Sequence, residues 1–441
     1  MTDAVTAPPR SRVWAWGLWD WGSSGFQHIA LTFVFSVYLT GSVGKDLPGP
    51  VSANSWLAWS TAAAGLLIAV LAPVIGQSAD RRGRRLRATG VWTALVVVCM
   101  VGMFWVRDDW SYLWLGLLLL GLASIFVELA YVSYYALMAQ VSTPRTVGWV
   151  SGFGWALGYV GGIVLLLAVY LLFLSGDGGL LGVPSAGGLD VRISVLVAAV
   201  WFAVFAVPMF LVVPETPPAV PGAPKLGVAG AYRALFAQLR ELYRSDRHTL
   251  YFLGASALYR DAVNAIFSFG GVLAVTVYGL APGQVLVFGV AVNVVAAIGA
   301  LAGGRLDDRL GSKTVVVASL VGLIVVAVVL LVVSGPTLFW VFGLGLGLFV
   351  GPVQASSRSF LLRACPDGQE GQLFGLYATT GRAVSFVAPA LIGLFTWLFA
   401  SDRAGTVGIV LVLVAGLVAL LPVRSPAQPA AERPASPVSP A

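Results

Sequence analysis

Six ionisable side chains stand inside long apolar stretches of this chain: Asp20, Glu128 and Asp261, and Arg260, Arg358 and Arg382. A charge at the centre of a bilayer costs about 2.5–3.5 kcal/mol on insertion scales, so it persists where it is paired or used. Left isolated, the six would cost on the order of 15–20 kcal/mol together. They are expected to face one another or a wet cavity, and their sum is neutral. Four of them belong to polar faces. Asp20, Ser23, Ser24, Gln27 and His28 recur at i, i+3, i+4, i+7 and i+8, one side of a helix. Ser124, Glu128, Tyr131 and Tyr135 keep the same period, as do Asp261, Asn264 and Ser268, and Gln354, Ser357 and Arg358. Four such faces can converge on a hydrated pocket for a small polar solute.

The residue types suggest what that pocket takes. Arg358 presents a planar fork suited to a carboxylate. Asp20 and Glu128 offer negative charge to an ammonium, and Trp21 and Tyr135 an aromatic wall. An amino acid or similar zwitterion satisfies both signs; an organic anion or a drug stays open. Carboxylates at membrane depth make proton coupling the natural energy source. Glu128 has no basic residue near it in its own span and is the expected proton carrier. Arg260 and Asp261 are consecutive, so on a helix they point about 100° apart and need separate partners.

Long helices must position these residues. The chain has 441 residues, 58% hydrophobic and only 10% charged. Soluble domains carry about 25% charged residues, so this is a polytopic membrane protein. Twelve apolar spans can be counted, at about 13–40, 54–78, 88–106, 111–140, 150–174 and 191–213, then 248–278, 284–302, 314–334, 337–362, 372–400 and 404–422. The first is too long for a signal-peptide core and contains Asp20, so it reads as a retained membrane helix. These spans give four regions: a six-helix bundle over 1–213, a linker over 214–247, a second six-helix bundle over 248–423, and a proline-rich tail over 424–441 expected to be disordered. Within the linker, Tyr232, Leu235, Phe236, Leu239, Leu242 and Tyr243 form an apolar stripe, with Arg233, Arg240 and Arg244 off it. That pattern predicts a basic amphipathic helix lying on the membrane surface. Glycines four apart (Gly154, Gly158 and Gly162; Gly343, Gly347 and Gly351) predict close helix packing.

With both termini inside, 19 of the 26 basic residues lie in inner segments and four in outer loops. That bias predicts cytoplasmic termini in a plasma (cytoplasmic) membrane, and it accounts for the net charge of +7 without nucleic acid. Two cysteines and two histidines make neither a disulfide framework nor a metal cluster. No Walker A, H-E-x-x-H or G-x-S-x-G motif occurs, and no soluble domain is present to hold a cofactor. An enzyme, a sensor and a lipid flippase on the same scaffold are the weaker alternatives to a monomeric solute transporter.

An internal repeat supports the layout. Gly76-x-x-x-Asp80-Arg81-x-Gly83-x-Arg85 superimposes on Gly304-x-x-x-Asp308-Arg309-x-Gly311-x-Lys313 with an offset of 228 residues. This loop resembles the signature G-x-x-x-D-R-x-G-R-R of the major facilitator superfamily. The resemblance implies an all-α fold of twelve transmembrane helices in two pseudo-symmetric six-helix bundles, transporting by alternating access. It implies that helices 1, 4, 7 and 10 line the central cavity, and that the two loops latch the halves on the inner side. Asp80 and Asp308 would act there beside Arg81 and Arg309, with Gly76 and Gly304 admitting the neighbouring helices.

Further segments resemble a narrower group within the superfamily, often labelled "unknown major facilitator", which includes the fungal vacuolar amino-acid effluxer linked to autophagy. WDWGSSGF keeps the Asp20 and Trp21 of that group's first helix. VSGFGWALGYVGG is similar to its fifth helix, YRDAVNAI to its seventh, GPVQASSRS to its tenth and FGLYATTGRAVSFVAP to its eleventh. The fourth helix departs: YYALMAQ places Tyr135 at the group's Asn, Ala139 at its Pro and Gln140 at its Glu. The resemblance therefore implies an architecture and a loose class of solute.

Overall fold

The structure, a computed structural model, describes residues 8–176, 178–218 and 228–426. Parts of the linker and nearly all of the proline-rich tail, whose disorder the composition suggests, lie outside the described residues. Every regular element described is helical. Eleven helices are long and apolar enough to cross a membrane: α1 (Arg10–Val43), α2 (Ala53–Arg82), α3 (Arg85–Met103), α4 (Trp110–Val141), α5 (Val147–Leu174), α6 (Ala186–Val212), α8 (Pro282–Leu310), α9 (Ser312–Val332), α10 (Pro336–Arg363), α11 (Glu370–Phe399) and α12 (Asp402–Leu420). The sequence predicts twelve. The remaining one, α7 (Arg247–Thr276), has 30 residues, but Arg260, Asp261 and Asn264 in its middle dilute its apolar character and it falls outside the eleven.

Local chemistry sets the ends. Ser52 accepts a hydrogen bond from the Ser55 amide at 3.2 Å and starts α2. Gly83 ends α2 with φ 59°, a left-handed conformation that costs glycine little. Glu215, just after α6, accepts from the amides of Leu86 and Arg87 at 2.7 and 3.1 Å and so caps α3. α11 is interrupted at Ser385–Phe386. Pro389 lacks the N–H that would bond back to the Ser385 carbonyl, and the second segment, Val387–Phe399, starts afresh. α1 is irregular too, with a π-helical stretch at Phe26–Phe33 that takes in Gln27 and His28, the end of the Asp20 face.

The packing follows the internal repeat. α2 runs against α11, and α8 runs against α5; these are the two long seams between α1–α6 and α7–α12. α5 also meets α10, and α4 meets α11. Small residues permit the seams. A Cβ on Gly304 would stand 2.5 Å from the Gly148 carbonyl oxygen, and one on Gly375 2.6 Å from that of Ala72. The glycine ridges pack closely as well: Gly154 and Gly162 of α5 face Trp16 and His28 of α1, and Gly347 of α10 faces Val292 of α8.

The linker helix, Val228–Ser245, forms as its stripe predicts, with the protein covering most of that stripe. Its apolar stripe is taken up by the protein. Leu235 is buried, the Tyr232 hydroxyl donates to the Val70 carbonyl at 2.6 Å, and Leu239 and Leu242 share a small crevice with Gln372, Leu373 and Leu376 of α11. The helix leans on α2 and α11, where apolar partners are available, and keeps only Phe236 and Tyr243 of the stripe exposed.

Candidate functional site

Four of the six intramembrane charges pair across the two sets of helices. Asp20 of α1 lies 3.6 Å from the Arg358 guanidinium of α10. Arg358 also donates to the Ser151 hydroxyl of α5 at 3.1 Å and to its carbonyl at 2.7 Å. Its guanidinium stands 4.8 Å from the centre of the Tyr135 ring and 5.1 Å from that of Trp155. Arg358 is 1% exposed and Asp20 6%. This pair is sealed, so Arg358 is closed to a solute in this conformation. The sequence assigns it a solute's carboxylate; the structure gives it Asp20 and Ser151 instead.

The second pair is open. Arg382 of α11 forms an ion pair with Glu128 of α4, and their side chains are 32% and 28% exposed. The expected carrier of protons therefore has a basic partner, 254 residues away in the chain. At 1.5 Å per residue, Arg382 stands about 18 Å from the start of α11 at Glu370. Arg358 is about 7 Å from the end of α10 at Arg363. Aromatic rings pack around the Asp20–Arg358 pair. Trp16 stacks on Tyr134 with centroids 4.6 Å apart, Tyr134 contacts Trp19 at 4.2 Å, and Tyr135 touches Tyr131 and Phe374 at 5.2 and 5.6 Å. The Ser23 and Tyr131 hydroxyls, 3.1 Å apart, tie α1 to α4.

Arg260 and Asp261 find separate partners. Arg260 donates to the Tyr377 carbonyl at 3.0 Å and lies 3.7 Å over that ring. Asp261 accepts from the Ala388 amide at 2.7 Å and caps the restarted segment of α11. It thus fixes the break next to Arg382. Asn264 is exposed and Gln354 buried. Trp21 is not part of the wall around the ion pairs. It packs on Trp201 of α6 at 5.9 Å and against Gly161.

The two signature loops form matched contacts at the far end. Asp80 accepts from the amides of Gly371 and Gln372, the start of α11, at 3.0 and 2.8 Å. Asp308 accepts from those of Gly148 and Trp149, the start of α5, both at 2.8 Å. Each aspartate thus caps a helix of the opposite set. Their basic partners are not the arginines next to them in sequence. Arg85, not Arg81, holds Asp80 at 2.6 Å and pairs with Glu370. Arg363, not Arg309, holds Asp307 and Asp308. Arg309 is exposed, and Lys313, the counterpart of Arg85, instead donates to the carbonyls of Leu421 and Val423. Gly311 turns between α8 and α9 with φ 87°.

Sequence reasoning passed over Ser151, Glu370, Arg363 and Tyr377. It also passed over a second repeat that could have found part of this end. Gly148 and Gly152 recur as Gly371 and Gly375 at an offset of 223 residues, the two helix starts that the aspartates cap.

Comparison with known proteins fits this geometry. A family model described as "Vacuole effluxer Atg22 like" matches residues 140–428. The chain belongs to this family. The Bacillus subtilis protein "Uncharacterized MFS-type transporter YxiO" is 24% identical over 92% of this chain and 93% of its own length. Autophagy-related protein 22-1 of Neosartorya fischeri is 24% identical over 62% of this chain; the match spans 46% of the fungal protein. Among solved structures, the proton:xylose symporter XylE bound to 6-bromo-6-deoxy-D-glucose superposes with a TM-score of 0.70 over 93% of both chains at 13% identity. That likeness establishes the major facilitator fold, as the two signature loops predict.

Proposed function

We propose that this family member is a monomeric secondary active transporter that moves a small polar solute, an amino acid or similar zwitterion, by proton-coupled alternating access. The observation that carries the reading is the Glu128–Arg382 pair: two opposite charges at membrane depth, from opposite halves, each about one-third exposed. A zwitterion can exchange with that pair, its carboxylate taking Arg382 and its ammonium Glu128. A sugar would leave both charges to be compensated otherwise. The resemblance of five helices to the autophagy-linked amino-acid effluxer supports the same class of solute, and the matched family's description supports an effluxer.

In this reading α7 is a twelfth span, the bundles are 1–213 and 248–423, and the termini are cytoplasmic in a plasma membrane, as the basic-residue bias supports. The capped helix starts then close the cytoplasmic side, and the structure is the outward-facing or occluded state. Proton and ammonium compete for the Glu128 carboxylate, so protonation releases both Arg382 and a bound ammonium and couples the two fluxes as an exchange. Asp20–Arg358, set among these aromatic rings, joins the halves in this state and opens when the inner side does. Transport by reconstituted protein tests this: Glu128→Gln and Arg382→Gln should each abolish accumulation of a zwitterion under an imposed proton gradient. Unimpaired accumulation in both variants would remove the pair from the solute path.

A further inference from the structure

Away from the charge pairs, at the end of the bundle that carries the signature loops, lies a cavity of about 580 Å³. It is framed by the end of the linker helix, the start of α7, the end of α10 and the segment after α12. Four arginines line it, Arg244, Arg247, Arg363 and Arg424, together with His248 and one carboxylate, Asp246. The acids nearby are committed. Arg363 is held by Asp307 and Asp308. Asp246 accepts from the His248 amide at 3.1 Å and the Thr249 hydroxyl at 2.6 Å, capping α7. Arg244, Arg247 and Arg424 are exposed and make no ion pair among the described residues. The His248 Nδ1 is buried with no hydrogen-bond partner. The cavity therefore holds three uncompensated guanidinium groups and one unused ring nitrogen.

The same chemistry continues along the linker helix. Arg233, Phe236, Arg240, Tyr243 and Arg244 recur on one side of it, the side turned away from α2 and α11. Phe236 is 66% and Tyr243 57% exposed. Arginines grouped with exposed aromatic rings, next to a membrane helix, suit the headgroup level of a bilayer, where rings sit at the interface and guanidinium groups clasp phosphate.

We infer that this cavity binds the phosphate headgroup of an anionic phospholipid. Arg244, Arg247 and Arg424 hold the phosphate, His248 supplies a further hydrogen bond, and Phe236 and Tyr243 lie beside the lipid's glycerol and upper chains. A soluble phosphate would use the arginines but would gain nothing from the two rings. The inference rests on the proposed placement of this end at a membrane surface.

The test uses full-length protein in nanodiscs of phosphatidylcholine, with or without phosphatidylglycerol. Both faces of a nanodisc meet the same lipids, so the outcome does not depend on which face is cytoplasmic. Each basic side chain near an anionic surface favours it about fivefold. The lipid retained on the purified protein should therefore be enriched in phosphatidylglycerol on the order of a hundredfold, and thermal stability should rise with that enrichment. The combined variant Arg244→Gln, Arg247→Gln, Arg424→Gln should lose the enrichment; Arg424→Gln alone should lose about fivefold and serves if the triple variant does not fold. Enrichment that survives the triple variant, no enrichment in the parent, or full displacement of the lipid by inorganic phosphate would each overturn the assignment. None of these variants touches Glu128 or Arg382. A failure of zwitterion transport with lipid enrichment intact would count against the transport reading and not against this site.

Discussion

Replacing Asp80 with Asn should weaken closure at the end of the bundle that carries the signature loops. The Asp80 carboxylate accepts three N–H groups, from Arg85 at 2.6 Å and from Gly371 and Gln372 at 3.0 and 2.8 Å. The last two belong to α11, so they join the halves. Hydrogen bonds to a charged group contribute about 1.5–3 kcal/mol each. Asn keeps one acceptor oxygen, loses the charge and turns an NH2 group toward a donor. The closed state should lose about 3 kcal/mol, a factor of roughly 150 in the ratio of closed to open. Arg85 and Glu370 remain paired, so the halves stay associated elsewhere. Spin labels on Arg84→Cys and Asp367→Cys, both exposed and flanking the seam, report the opening by pulsed distance measurement, after Cys99 and Cys365 are replaced by Ala. The parent should give mainly the shorter distance and Asp80→Asn mainly the longer. Identical distance distributions in the two proteins would refute the capping argument.

Asp308→Asn should open the bundle at least as far, because the remaining Asp307–Arg363 pair lies within one half whereas Arg85–Glu370 bridges the two; pulsed distances between labels flanking the α5–α8 seam read the difference. Gly76→Ala should push α2 from α11, since its methyl meets the Gly371 carbonyl, and should lower thermal stability by about 1–3 kcal/mol. Arg358→Lys should lower the melting temperature while leaving solute affinity in the outward-facing state nearly unchanged, whereas Arg382→Lys should do the reverse; calorimetry and binding titration separate the two. Asp261→Ala removes the cap of the second α11 segment, which should cost about 1–2 kcal/mol of stability, measured by thermal unfolding.

The elements were legible in the sequence to within about five residues, save the end of α8, expected near 302 and found at Leu310, because length and hydropathy mark most membrane helices. The repeat of the Gly76–Arg85 loop at Gly304–Lys313 likewise located both capping aspartates. Partners were not legible. Helical period tells which side of a helix a residue occupies, but Asp20 meets Arg358 and Glu128 meets Arg382 through packing between helices far apart in sequence. The same gap hid Arg363, which replaces the anticipated Arg309 because α10 ends beside α8. The break in α11 had a local sign, Pro389, yet its cap comes from Asp261 on α7. The stripe of the linker helix was legible as apolar, but not that most of it packs on the protein, since period alone does not distinguish lipid from protein as its cover.

Solute accumulation by proteoliposomes under an imposed proton gradient tests the central claim most directly. A panel of amino acids, sugars and organic anions is offered to the parent, to Glu128→Gln and to Arg382→Gln. The account predicts gradient-driven accumulation of a zwitterion by the parent, its loss in both variants, and residual solute exchange in Glu128→Gln. Accumulation of a sugar by all three proteins, with no zwitterion moved, would contradict it.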